Sequence, residues 1–189
     1  MFWLFFLGVL FFIFAIVYFS IPTPRNKEDI PLDLKTGDLV FMSGNSVSEA
    51  IIRLFVRCEY SHVGMIFVSE GKTYVWEADV GQGKKEGPRL IEFDDKVLAF
   101  HKRSQYPIFV RRYTGPRIED ESMLKIIEKY VNKPMSFAGW IYSDGPEETE
   151  GVCCSTLIGF TLRELGLFAG NPNFLSPRDL LVNFPDIYE

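Results

Sequence analysis

Residues Tyr60 to Val80 read YSHVGMIFVSEGKTYVWEADV, and their reading decides the architecture. Two runs rich in β-branched and aromatic residues flank Ser69-Glu70-Gly71-Lys72, the composition of a tight hairpin turn. With Ser69 opposite Lys72, the register sets His62 across from Asp79 and Gly64 across from Glu77. Side chains alternate along a strand, so these four share one face. The other face, Val63, Met65, Phe67, Tyr74, Trp76 and Ala78, is wholly apolar and is predicted to be the core side. The absent side chain at Gly64 gives Glu77 room to lean diagonally toward His62.

The rest of the chain supplies further strands and several helices. Asp38 to Met42 (DLVFM) reads as a strand, followed by Ser46-Val47-Ser48-Glu49, a capping box that opens an amphipathic helix to about Val56. Ile51, Ile52 and Phe55 form its apolar side. Strands are expected at Arg89 to Glu92 and Ile108 to Tyr113, and His101 falls in a polar connection, Phe100 to Ser104. Ile118 to Asn132 reads as a helix with Met123, Ile126, Ile127 and Tyr130 in helical period, ended by Pro134. After a loop over Ser143 to Glu150, Cys154 to Leu165 reads as a buried helix closed by Gly166. Ser176-Pro177-Arg178-Asp179 caps a last short one. A strand-rich middle flanked by helices makes an α+β domain.

Ahead of that domain, residues 1–24 contain no charged side chain. About 20 apolar residues suffice to cross the hydrocarbon layer as a helix, so residues 1–21 are predicted to be a transmembrane anchor, with 2–21 in the lipid. A cleaved signal peptide fits less well, because a basic leader and a small-residue cleavage site are both missing. The three prolines and mixed charges of IPTPRNKEDIPLD make residues 22–33 a stiff tether, and the folded domain begins at 34 and runs to 189. Arg25 and Lys27 bias that flank toward the cytoplasm. A formal charge of −5 without a long basic run excludes a nucleic-acid partner. Three irregularly spaced cysteines make neither a disulfide framework nor a zinc pattern, and nothing calls for a metal or cofactor.

Chemistry concentrates in two places. Of the two histidines, His62 sits inside an otherwise apolar strand, and a nearby carboxylate would fix its tautomer. Glu77 and Asp79 both qualify. Cys153 and Cys154 lie where a Gly-containing loop meets a helix, and a helix N-terminus or a neighbouring imidazolium can activate a thiol. Cys is also among the most buried residue types, and that alone would explain either sulfur. Tyr60, Trp140 and Tyr142 are candidates to line a substrate cleft.

Four blocks in order, Leu34-Lys35-Thr36-Gly37-Asp38-Leu39-Val40-Phe41, Tyr60 to Met65, Trp76-Glu77-Ala78 and Cys154 to Ile158, resemble the circularly permuted NlpC-like papain-fold cysteine hydrolases. That family includes YiiX/YaeF-type proteins and poxvirus relatives and, more distantly, lecithin:retinol acyltransferase-like enzymes. The likeness extends to Ser176-Pro177-Arg178-Asp179-Leu180. It implies His62 as base, Glu77 as orienting acid and Cys154 as nucleophile, with Cys153 a packing residue. It further implies cleavage of an amide or ester bond through a thioester, and the predicted anchor, which confines the site near the bilayer, favours a membrane-associated lipid or peptide as substrate. Thr156 stands where the family commonly has an acid, and Met135-Ser136-Phe137 where it has Tyr-Asp. The competing expectation is a noncatalytic binding or assembly protein on the same scaffold.

Overall fold

The structure, a computed structural model, describes residues 30–31, 33–44, 46–79, 86–101, 108–136 and 151–189, with backbone alone for 98–101. The predicted anchor, most of the tether, Trp140 and Tyr142 lie outside these residues. Among the described residues no helix is long and apolar enough to cross a membrane.

The fold is α+β: one antiparallel five-stranded sheet packed with helices. Its strands are β1 (Leu39–Met42), β2 (His62–Ser69), β3 (Lys72–Asp79), β4 (Gly87–Glu92) and β5 (Phe109–Arg111), in the order β4-β3-β2-β1-β5. The central hairpin has the predicted register, with Ser69 opposite Lys72 and Met65 opposite Trp76. Continued by one pair, that register sets Gly64 against Glu77. The space beside Gly64 is filled by Val75, however: a Cβ there would lie 2.5 Å from Val75 Cγ1.

The helices are α1 (Val47–Val56), α2 (Phe93–His101), α3 (Asp120–Tyr130), α4 (Cys154–Glu164) and α5 (Pro177–Val182). α1 starts with the predicted box, since Ser46 Oγ accepts from the Glu49 amide and the Glu49 carboxylate accepts from the Ser46 amide. α2 has no counterpart in the sequence reading, and His101 is its last residue, within a helix where a polar connection was expected.

Alternation along the strands builds two cores. Leu39, Phe41, Val63, Met65, Phe67, Trp76 and Ala78 pack against α3 and α4, burying Met123, Ile126, Leu157, Ile158 and Leu162. The indole of Trp76 donates to Thr161 Oγ1 at 3.1 Å, which satisfies its N–H in the apolar interior. Val40, Met42, Ile66 and Val75 face the other way and pack on Phe93 and Val97 of α2 and on Ile108. The sheet is thus covered on both sides: α4 lies on one, α2 on the other.

The orientation of α1 runs against its apolar pattern. Ile51 and Phe55 are 59% and 76% exposed, and the side turned inward carries Arg53, 3% exposed. The Arg53 guanidinium donates to Ser43 Oγ and to the Gly44 carbonyl, each at 2.7 Å. A buried cation needs such acceptors, and these two are the loop just after β1. The polar anchoring of one side chain therefore sets the helix rotation, against the apolar pattern.

Candidate active site

His62 opens β2 and pairs with Met42, so its ring is on the α2 side of the sheet, at the rim. The Nε2 of His62 and Oε2 of Glu77 are 2.8 Å apart. Glu77 is fully buried, and it gathers two cations besides. Arg89 Nε and Nη2 donate to Oε1 at 3.0 and 2.8 Å, and Lys96 Nζ reaches Oε2 at 2.7 Å. Asp79 completes the cluster, accepting from Arg89 at 2.7 Å and from Lys96 at 3.1 Å. Between the two carboxylates that the register left open, Glu77 is the one bonded to the imidazole.

Arg89 and Lys96 are functional candidates that sequence reasoning missed. Arg89 pairs directly with Glu77 across β3 and β4, so the sheet itself delivers it. Residues 80–86 separate those strands, too long a connection to fix the register by a turn rule. Lys96 comes from α2, which the sequence reading did not see.

Burial opposes ionisation of Glu77, but the hydrogen bond and charge of His62, together with Lys96, outweigh it and hold the carboxyl far below its ordinary 4.5. Burial likewise opposes ionisation of Asp79, and the charges of His62 and Lys96 bring it below 3.8. The folded protein therefore binds fewer protons here than the unfolded chain does. The resulting stability is fully present above about pH 4.5 and is lost as pH falls toward the folded-state values. Urea midpoints measured from pH 6 down to pH 3 should fall steeply in wild type and less steeply in Glu77→Gln. Equal slopes would disprove this coupling.

The cysteine pair begins α4 from the opposite side of the sheet. Residues Pro134 to Ser136 run beside Gly151 and Val152, where Val152 N–H donates to the Pro134 carbonyl and Ser136 N–H to that of Val152, each at 3.0 Å. A Cβ on Gly151 would lie 2.7 Å from the Pro134 oxygen, so only glycine allows this approach. Cys153 is the N-cap, and Thr156 Oγ1 accepts from its amide at 2.8 Å. Thr156 thus performs the reciprocal half of a capping box, the task an acid does in α1 and α5. Ser155 is buried and donates to the Leu175 carbonyl at 2.7 Å.

Both sulfurs are buried, and they share a hydrogen bond. Donation to Cys153, burial and the Cys153 charge push the Cys154 thiol well above its ordinary value, while the Val63 amide acts in the other direction. Burial would also raise Cys153, but hydrogen bonds from Cys154 and Thr156 bring it down to about 6. Two thiols so placed titrate as a pair, and the charge left by the first ionisation opposes the second. Cys58, the third thiol, is buried elsewhere in the core and raised by that burial.

The structure therefore brings His62 and Glu77 into direct contact and sets Cys154 against the amide of Val63, the residue after His62. No hydrogen bond joins the imidazole to the thiol among the described residues. Tyr60, expected to line a cleft, is buried instead, its ring stacked on Phe109 at 6.0 Å and tilted against Phe41 at 5.8 Å. Among the described residues no group of three or more His, Cys, Asp or Glu side chains is arranged to hold a metal ion. The oxygens of Glu77 and Asp79 are already occupied by Arg89 and Lys96, so these carboxylates do not suit a further cation.

No protein-family profile matches the chain. Over 148 residues, 77% of its length, the chain is 27% identical to YiiX of Escherichia coli strain K12, a protein described there as uncharacterized. The match spans 66% of that relative, just under two thirds of its length. Among solved structures, the crystal structure of the metalloprotein YiiX from Escherichia coli O157:H7 superposes with a TM-score of 0.54 at 24% identity, covering 70% of this chain and 67% of that one. The chain is thus similar in sequence to YiiX and shares its fold.

Proposed function

We propose that this protein is a membrane-anchored thiol hydrolase or acyltransferase with a circularly permuted, NlpC-like papain fold, acting on an amide or ester bond of a membrane-associated lipid or peptide. The observation that carries the reading is the Nε2 bond from His62 to a buried, ionised Glu77 at the sheet rim. That bond leaves Nδ1 of His62 as the nitrogen that takes up a proton. A carboxylate bonded to one ring nitrogen fixes the tautomer and stabilises the positive charge that a base takes up in mid-reaction.

In the proposed reaction Cys154 gives up its bond to Cys153 and passes its proton to His62 Nδ1. The sulfur attacks the carbonyl carbon, and the oxyanion takes the Cys154 amide, one of the α4 N-terminal N–H groups without an intrahelical acceptor. The tetrahedral adduct collapses, His62 hands its proton to the leaving amine or alcohol, and a thioester remains. Water, or an acceptor nucleophile, gives its proton to His62 as it attacks that thioester and restores the thiol. Residues 2–21 hold the domain at the bilayer, with the catalytic side on the cytoplasmic face, a reducing compartment that keeps the thiol free.

One observation favours a second reading, a noncatalytic binding or assembly protein: among the described residues the imidazole of His62 bonds to Glu77 and makes no hydrogen bond to the Cys154 thiol. Activity-based profiling of the full chain separates the two. Acyl and peptidyl electrophiles should label wild type at one site and leave Cys154→Ser unlabelled. Equal labelling of both proteins would exclude the hydrolase.

A further inference from the structure

Val47, Ile51 and Phe55 project from α1 one turn apart, 78%, 59% and 76% exposed, and form a continuous apolar stripe on the outside of the domain. The buried Arg53 locks this rotation, so the stripe is a fixed feature of the surface. We propose that this face of α1 lies on the lipid bilayer, with the three side chains entering the boundary between headgroups and acyl chains.

The inference rests on the anchored reading above and adds to it the face that meets the membrane and hence the position of the substrate. Residues 22–33 span at most about 40 Å when fully extended, so a domain tethered by them stays within contact of the bilayer. Two other occupants fit less well. Three side chains on one helix cover far less than the roughly 1,200 Å² that a stable pair of copies buries. The segment 2–21 has no polar side, and docking it on a narrow stripe would leave most of its apolar circumference in water.

The surroundings of the stripe suit an anionic interface. Arg57 caps the C-terminal end of α1 from an exposed position, and Cys58, the next residue, feels the charges of half-buried Glu59 and exposed Arg178, so two cations face one acid there. The one acid of the first turn, Glu49, is folded back onto Ser46. An apolar stripe with basic residues at its edge is the pattern of helices that lie in the plane of a membrane surface. Since α1 leads within six residues to His62, the imidazole sits near the bilayer surface. A scissile acyl bond at the headgroup boundary, as in an acylated amphiphile, is the one it would meet.

The test uses the full chain carrying Cys58→Ala, Cys153→Ala and Cys154→Ser, with single cysteines for the fluorophore NBD at Ile51→Cys and Phe55→Cys. Leu124→Cys on α3, 50% exposed, is the reference. In phosphatidylcholine–phosphatidylglycerol vesicles, brominated acyl chains should quench positions 51 and 55 at least about threefold more than position 124, and aqueous iodide should show the reverse order. Equal quenching at all three positions overturns the inference. So does protection of 51 and 55 from both quenchers, which shows a protein cover; energy transfer between differently labelled copies then assigns a second copy, and its absence the chain's own segment. Alkaline carbonate extraction of the same vesicles reports on the anchor separately: chain left in the membrane with unquenched labels defeats the docking face alone, and extracted chain defeats the anchor.

Discussion

Replacing Glu77 by Gln is expected to lower the unfolding free energy by about 3–5 kcal/mol, the cost of leaving buried charge without its counter-charge. The variant keeps shape and volume, so the loss reports charge rather than a cavity. Lys96, itself buried, would lose its charged contact with position 77 and keep the one with Asp79, which it shares with Arg89. Lys96→Met in the same chain restores the balance of one cation to one anion. The double variant should therefore be more stable than the two single losses added together, by at least about 1 kcal/mol of coupling. Urea unfolding of the four proteins decides it. A Glu77→Gln cost below about 1 kcal/mol, or strict additivity, would show that the cluster is not an energetic unit.

His62→Ala should slow alkylation of Cys154 by limiting iodoacetamide at pH 7 by about 10²–10⁴-fold, the range typical of a positioned acid–base group. In wild type the imidazole supplies the proton acceptor that a buried thiol lacks. Without it, the Cys154 sulfur is held protonated by burial and by its bond to Cys153, and labelling should require strongly alkaline solution. Peptide mapping of the adduct makes the result specific to one sulfur. Labelling rates within twofold of each other would sink the role of His62. A label found on Cys153, whose donors from Cys154 and Thr156 favour its thiolate, would move the nucleophile one residue back.

Local rules made much of the fold legible. The hairpin register followed from a four-residue turn and the period of two, and it placed Glu77 beside His62 before any coordinates. Capping boxes at Ser46 and Ser176 fixed two helix starts to the residue. The failures have one physical origin, which is that a pattern identifies faces and not their neighbours. The apolar side of α1 was plain in the sequence, but the acceptors that draw Arg53 inward come from the end of β1 and could not be read from the helix. Arg89 and Lys96 reach Glu77 across a connection whose length sets no register. The coupling between the Cys153 and Cys154 thiols depends on side-chain directions at a helix cap, below the resolution of any sequence pattern.

The clasp formed by Pro134, Ser136, Gly151 and Val152 separates two kinds of change. It brings the two ends of the fourteen residues 137–150 side by side and seats the cysteine pair on the second of them. Doubling the length of a segment closed in this way costs only about 0.6 kcal/mol of chain entropy. The stretch before the cysteines can therefore vary in length and content among descendants of this chain while the sulfurs keep their place, so long as position 151 remains glycine.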